Sequence, residues 1–162
     1  MLNVLFLCTA NSARSILGEA YLRAKAPERF AAFSAGSQPR GAINPDAVAF
    51  LASEGISTEG LSSKSWDVFA EPGTPAMDLI FTVCDSAAAE ACPFWPGHPA
   101  QVHWGVPDPA GVAGDEAARL AAFAAAFKVI SARIDRMLAL PMERLTPAER
   151  LAALKAIAQE VS

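Results

Sequence analysis

What most limits the folds open to this chain is a repeated alternation of short apolar runs with amphipathic segments. Leu2 to Leu7 is a nearly continuous apolar run, as expected of a strand buried on both faces of a parallel sheet. It gives way at once to the small, polar stretch Cys8 to Ser15. Ile16 to Ala26 then sets Ile16, Leu17, Ala20 and Tyr21 on one helical face. Ala31 to Ala35 fits a second strand ending at the turn residue Gly36, and Asn44 with Pro45 supplies the N-cap and first position of a helix through Glu54. Asp78 to Val83 reads as a third strand, with Leu79, Ile80, Phe81 and Val83. Gln101 to Trp104 is a short fourth one after the Pro/Gly-rich stretch Pro93 to Pro99. A long helix begins near Asp115 and carries Leu120, Phe123, Phe127, Ile130, Ile134 and Leu138 at spacings of three and four, a core stripe. Strands separated by helices predict a three-layer α/β fold, a parallel sheet with helices on both faces, whose ligand site lies beyond the carboxyl ends of the strands. Cys8 stands at such an end.

After Pro141, Thr146, Pro147 and Glu149 form a capping box, and Leu151, Leu154, Ala158 and Val161 line one face of a last helix. We divide the chain into a domain over residues 1–140 and a helical extension over 141–162 that serves packing or a partner.

A chain of 162 residues, 52% apolar and 19% charged, holds one ordinary core. Its net charge of −4, with 13 Lys and Arg scattered along the chain, argues against a nucleic-acid partner. The apolar start has no basic flank and is too short for a leader or a span. Leu120 to Phe127 is mostly alanine between Arg119 and Lys128. No membrane contact is expected. Three cysteines cannot all pair within one chain, and the missing export signal predicts a cytoplasmic, reducing setting in which their chemistry is transient. A metal is not expected, because Cys84 and Cys92 lack close paired spacing and His98 and His103 are the only histidines.

The stretch Cys8-Thr9-Ala10-Asn11-Ser12-Ala13-Arg14-Ser15 places a cysteine and an arginine at the two ends of a loop between the first strand and the first helix. Backbone N–H groups of such a loop converge on a tetrahedral oxyanion, the helix N-terminus adds positive potential, and the Arg14 guanidinium holds two oxygens in a fork. The same field is expected to favour the Cys8 thiolate, with the Ser15 hydroxyl bonding the sulfur and Asn11 shaping the loop. A buried structural cysteine and a solvated arginine are the duller alternative; the strand before and the helix after weigh against it.

Here the chain closely resembles the low-molecular-weight tyrosine phosphatase superfamily, and within it the arsenate reductases. The motifs that carry the resemblance are Cys8 to Ser15, Phe33-Ser-Ala-Gly36, Phe81-Thr-Val-Cys-Asp85, Cys92-Pro93 and His103-Trp-Gly-Val-Pro-Asp-Pro-Ala110. They fall between about Leu2 and Leu138. The resemblance implies a four-stranded parallel sheet, a cytosolic enzyme with arsenate as substrate, and Asp108 as the acid that protonates the leaving oxygen, where spacing alone would make Asp108-Pro109 a turn.

Arsenate reduction needs a second thiol to expel arsenite and leave a disulfide, and Cys84 is the natural candidate; Cys92 can then draw the disulfide outward. An external thiol reductant closes the cycle. The resemblance implies thioredoxin, with glutathione and glutaredoxin the alternative. No other cofactor is expected. A phosphatase using Cys8, Arg14 and Asp108 is the rival, and it leaves Cys84 and Cys92 without a purpose. A regular helix would hold Cys84 and Cys92 about 12 Å apart, beyond the ~7 Å Cα limit for a disulfide, so the segment from Asp85 to Ala91 must bend for the relay to run. His103 and Trp104 are expected to pack at a strand end, and Ser63-Lys64-Ser65 to be surface. Asn11, Glu19 and Ser34 match three ligands of a potassium site in some relatives, but Trp66, with Asp67 beside it, stands where a fourth carboxylate would, and no bound cation is expected.

Overall fold

The computed structural model describes residues 1–84 and 99–161. The strands β1 (Leu2–Cys8), β2 (Phe30–Gly36), β3 (Leu79–Thr82) and β4 (Ala100–His103) form one parallel sheet in the order β2-β1-β3-β4. β2 lies on one side of β1 and β3 on the other, so the switch point falls at the carboxyl ends of β1 and β3, where ligands of such sheets bind. Leu7 pairs with Thr82, and the Val83 amide donates to Leu7 O at 2.9 Å. That register brings the ends of the two strands, with Cys8 and Cys84, side by side.

Alternate residues of the strands face two cores. Val4, Phe6 and Phe81 look toward one, which is covered by α1 (Arg14–Lys25), α2 (Pro45–Ser53), α4 (Glu116–Leu138) and α5 (Pro147–Glu160). Leu5, Leu7 and Ile80 look toward a smaller core covered, among the described residues, by Trp66, Met77 and the short α3 (Asp67–Ala70). Gly18 of α1 lies against the Phe6 ring so closely that an added Cβ would come within 2.7 Å of it. The predicted elements appear with ends shifted by one or two residues, and α1 begins at Arg14 rather than Ile16.

Asn44 caps α2 by accepting from Asp46 N at 2.8 Å, and Thr146 and Glu149 form both bonds of their capping box. The segment beyond Pro141 packs into the larger core: Leu154 and Ile157 are buried, and the Trp104 indole donates to Leu154 O at 3.0 Å. Trp104 also stacks on Phe81 with ring centroids 3.9 Å apart. No helix among the described residues is long and apolar enough to cross a membrane.

Candidate functional site

Cys8 ends β1 at 5% exposure, and the loop that follows turns its carbonyls outward. Cys8 O accepts from Ser37 N at 3.3 Å, Thr9 O from Gln38 N at 2.9 Å, Ala10 O from Arg40 N at 3.0 Å, and Ser12 O from Asn44 N at 3.0 Å. The amides of Ala10, Asn11, Ser12, Ala13 and Arg14 donate no hydrogen bond among the described residues. Ala13, at the N-cap of α1, offers no side-chain cap, so the end of the helix is also left open. Unmade amide bonds cost about 1–3 kcal/mol each when shielded from water, and an acceptor with several oxygens would satisfy them.

Arg14 reaches the same place. One terminal nitrogen donates to Val106 O at 3.0 Å, the other lies 3.6 Å from Asp108 Oδ2, and Nε is buried without a hydrogen-bond partner among the described residues. The loop, Arg14, Arg40 and Asp108 enclose a cavity of about 270 Å3 with Cys8 on its wall. Arg40 carries no motif that would have singled it out, yet it lines this cavity. Asp108 is half exposed, and its Oδ1 accepts from Ala110 N at 2.9 Å, so an Asx turn aims the carboxyl toward Arg14.

The loop's shape is fixed from behind. Asn11 is fully buried with φ +48°, in the left-handed region that asparagine tolerates better than most residues. Its Oδ1 accepts from Lys64 N at 2.8 Å, and its Nδ2 donates to Ser15 Oγ and Ser34 Oγ, both at 2.9 Å. Ser15 therefore differs from expectation: its hydroxyl oxygen accepts from Asn11, and among the described residues it makes no bond to the Cys8 sulfur. Ser63-Lys64-Ser65 is likewise more than surface. Ser63 Oγ donates to Ala10 O at 3.0 Å, Lys64 O accepts from Gly36 N at 2.9 Å, and Ser65 bridges Gly36. Ser34 Oγ donates to the buried Glu19 carboxyl, whose pKa burial pushes up while the Ser34 hydroxyl and the Lys64 charge pull it down. Trp66 packs in the smaller core.

Gly36 makes this clamp possible, since a Cβ there would stand 2.3 Å from Thr9 O and 3.0 Å from Asn11 N. Gly36→Ala should therefore push the loop off β2, costing about 1–3 kcal/mol of stability and weakening oxyanion binding. Thermal unfolding and phosphate inhibition constants measure both; an unchanged inhibition constant would mean that the loop does not depend on this contact.

Cys84, 3% exposed, lies beside the Cys8 thiol and 3.6 Å from Thr9 Oγ1. This contact is the largest cause of a Cys8 pKa pushed well above that of an ordinary thiol, and burial adds to it; the Arg14 charge and the Thr9 amide pull the other way. The Arg14 charge and the Thr9 amide thus supply the expected thiolate-favouring field, and the neighbouring Cys84 thiol opposes it. Removing Cys84 removes the largest raising cause, so the Cys8 pKa should fall. In Cys84→Ala, the pH profile of Cys8 alkylation, followed by peptide mapping, should shift at least about one unit toward acid. An unmoved profile would disprove the coupling.

Cys92 lies outside the described residues, as do His98 and the segment Asp85 to Ala91. Trp104 packs as expected, but His103 does not: it is exposed, its Nδ1 is 2.8 Å from Thr82 Oγ1, and it lines a second cavity together with Cys84. Among the described residues no cluster of His, Cys, Asp and Glu is arranged to hold a metal ion.

The model of the low molecular weight phosphotyrosine protein phosphatase family matches residues 3–151. An arsenate reductase of Bacillus licheniformis is 34% identical over 133 residues, 82% of this chain and 92% of its own. Among solved structures, an arsenate reductase in the phosphate binding state superposes with a TM-score of 0.70 at 24% identity, covering 86% of this chain and 98% of that one. The low molecular weight tyrosine phosphatase of T. tengcongensis superposes with a TM-score of 0.65 at 23% identity, covering 86% and 99%. Phosphatases and reductases share this fold, so the fold does not choose between them. With a family model spanning nearly the whole chain and an open-amide loop behind Cys8, the chain belongs to the low molecular weight phosphotyrosine protein phosphatase family.

Proposed function

We propose that this chain is an arsenate reductase, converting arsenate to arsenite at Cys8. The observation that carries the reading is the contact of a second buried thiol, Cys84, with the nucleophile at the edge of an anion cradle. Hydrolysis of a phosphoenzyme needs water and has no use for that thiol. The name carried by the relatives with one-third identity supports the same choice.

The loop amides of Thr9 to Arg14 and the Arg14 fork hold arsenate, and the Cys8 thiolate attacks arsenic. An As–S bond forms, and an oxygen leaves as water with a proton from Asp108. Cys84 then attacks the Cys8 sulfur; the As–S bond breaks, its electron pair stays on arsenic, and arsenite departs while Cys8 and Cys84 become a disulfide. Cys92 attacks Cys84, freeing Cys8, and an external thiol reductant takes up the oxidising equivalents. Ser15 serves by holding Asn11, and through it the loop. The sequence favours thioredoxin as that reductant, with glutathione and glutaredoxin second, and arsenical resistance in the cytoplasm as the setting.

Arsenate-dependent NADPH consumption, with thioredoxin and its reductase in one arm and glutathione, glutaredoxin and glutathione reductase in the other, tests the proposal. Turnover in either arm is expected. Consumption in neither, with brisk aryl phosphate hydrolysis, would overturn it.

A further inference from the structure

Arg133 of α4 is 5% exposed, and among the described residues no acid answers its charge. Its Nε donates to Val161 O at 2.9 Å and one terminal nitrogen to Gly105 O at 3.1 Å; among the described residues no carboxylate pairs with it. Arg14, Arg29, Arg119 and Arg136 each have one within 3.6 Å. Burial pushes the Arg133 pKa down, yet a guanidinium keeps its proton at any ordinary pH. A buried cation held only by carbonyl dipoles is costly unless an anion joins it.

The place where an anion could join it is defined. Arg133 lines a cavity of about 540 Å3 at the carboxyl ends of β3 and β4, and Cys84, Arg14 and His103 line it too. That volume is in the range of small-molecule sites, about 300–1,000 Å3. The Arg14 charge is shared with Asp108, whereas that of Arg133 is not. The cavity therefore offers a cation and a reactive sulfur to one small molecule.

We propose that Arg133 is the anion subsite of a low-molecular-weight thiol, holding a carboxylate of the reductant while its sulfur reaches Cys84. The inference rests on the reductase reading, in which Cys84 enters a disulfide. The bound thiolate attacks Cys84 Sγ, the bond from Cys84 to its disulfide partner breaks, and the partner cysteine leaves as a thiolate and takes up a proton. A second thiol molecule attacks the mixed disulfide, so two thiols become one disulfide and the enzyme regains two thiols.

Binding is tested without redox chemistry. S-methylglutathione, which keeps both carboxylates but cannot exchange, should perturb the NMR spectrum of the full-length protein at about tenfold lower concentration than its diethyl ester, the effect of one charge-assisted bidentate pair. Arg133→Gln should bring the two within about twofold of each other, and Arg133→Lys should keep part of the difference. With enzyme oxidised by diamide, glutathione should outpace its diethyl ester by a similar factor, once each rate is divided by that thiol's rate with a neutral small disulfide. Arg133→Gln should erase this advantage while leaving aryl phosphate hydrolysis and reduction by thioredoxin unchanged. Equal binding of acid and ester by the wild type would overturn the proposal. So would an Arg133→Gln variant slowed equally toward both thiols and thioredoxin, which is what a packing role alone would give. Loss of arsenate turnover with every reductant, with the carboxylate preference intact, would instead count against the reductase reading.

Discussion

Cys8→Ser protein is expected to reduce no measurable arsenate and to hydrolyse no aryl phosphate, with both rates lower by at least about 10³-fold. Both reactions begin with the same sulfur, and a serine hydroxyl is far harder to ionise than a thiol at this buried strand end. The substitution is nearly isosteric, so the fold should survive and phosphate should still bind to the loop amides and Arg14. That separates loss of chemistry from loss of the site. Arg14→Lys keeps the charge but loses the fork, and a penalty of about 10²-fold is expected because an ammonium cannot hold two oxygens and Val106 O together. Steady-state kinetics on both substrates, with phosphate binding as control, measure these effects. Normal reductase activity in Cys8→Ser would remove the assignment.

The strands were legible because each is a short apolar run closed by a small or polar residue, and the caps of α2 and α5 because capping chemistry is local. The loop was legible for the same reason: Cys8, Arg14 and the helix after them are adjacent in sequence. What holds the loop was not. Ser63 and Lys64 act on Ala10 and Asn11 across a sequence separation of 53, largely through backbone groups that leave no mark on residue type. The pairing of Ser15 with Asn11 instead of the sulfur depends on the left-handed backbone at Asn11, which no spacing predicts. Arg133 did leave a trace. It falls among Ile130, Ile134 and Met137 on the buried side of α4, where a charged residue is rare unless something neutralises it. The influence of Cys84 on Cys8 comes from the pairing of β1 with β3, a contact visible only once the strand order is known.

Cys84→Ser and Cys92→Ser should divide the two chemistries that this fold supports. If Cys84 expels arsenite, Cys84→Ser loses multiple-turnover arsenate reduction, while an aryl phosphate is still hydrolysed through Cys8, Arg14 and Asp108, because water alone completes that cycle. The removal of a neighbouring thiol that raises the Cys8 pKa should even favour the thiolate at neutral pH, so hydrolysis should hold or rise as reduction disappears. Cys92→Ser should fail later in the sequence. Treated with arsenate and no reductant, it should release about one arsenite per chain and stall with Cys8 joined to Cys84, as the stoichiometry of disulfide exchange requires. Alkylation followed by peptide mapping would show that pair. Should both serine variants turn over arsenate at the wild-type rate, the relay would be gone, and a phosphatase with incidental thiol-driven reduction would describe this protein better.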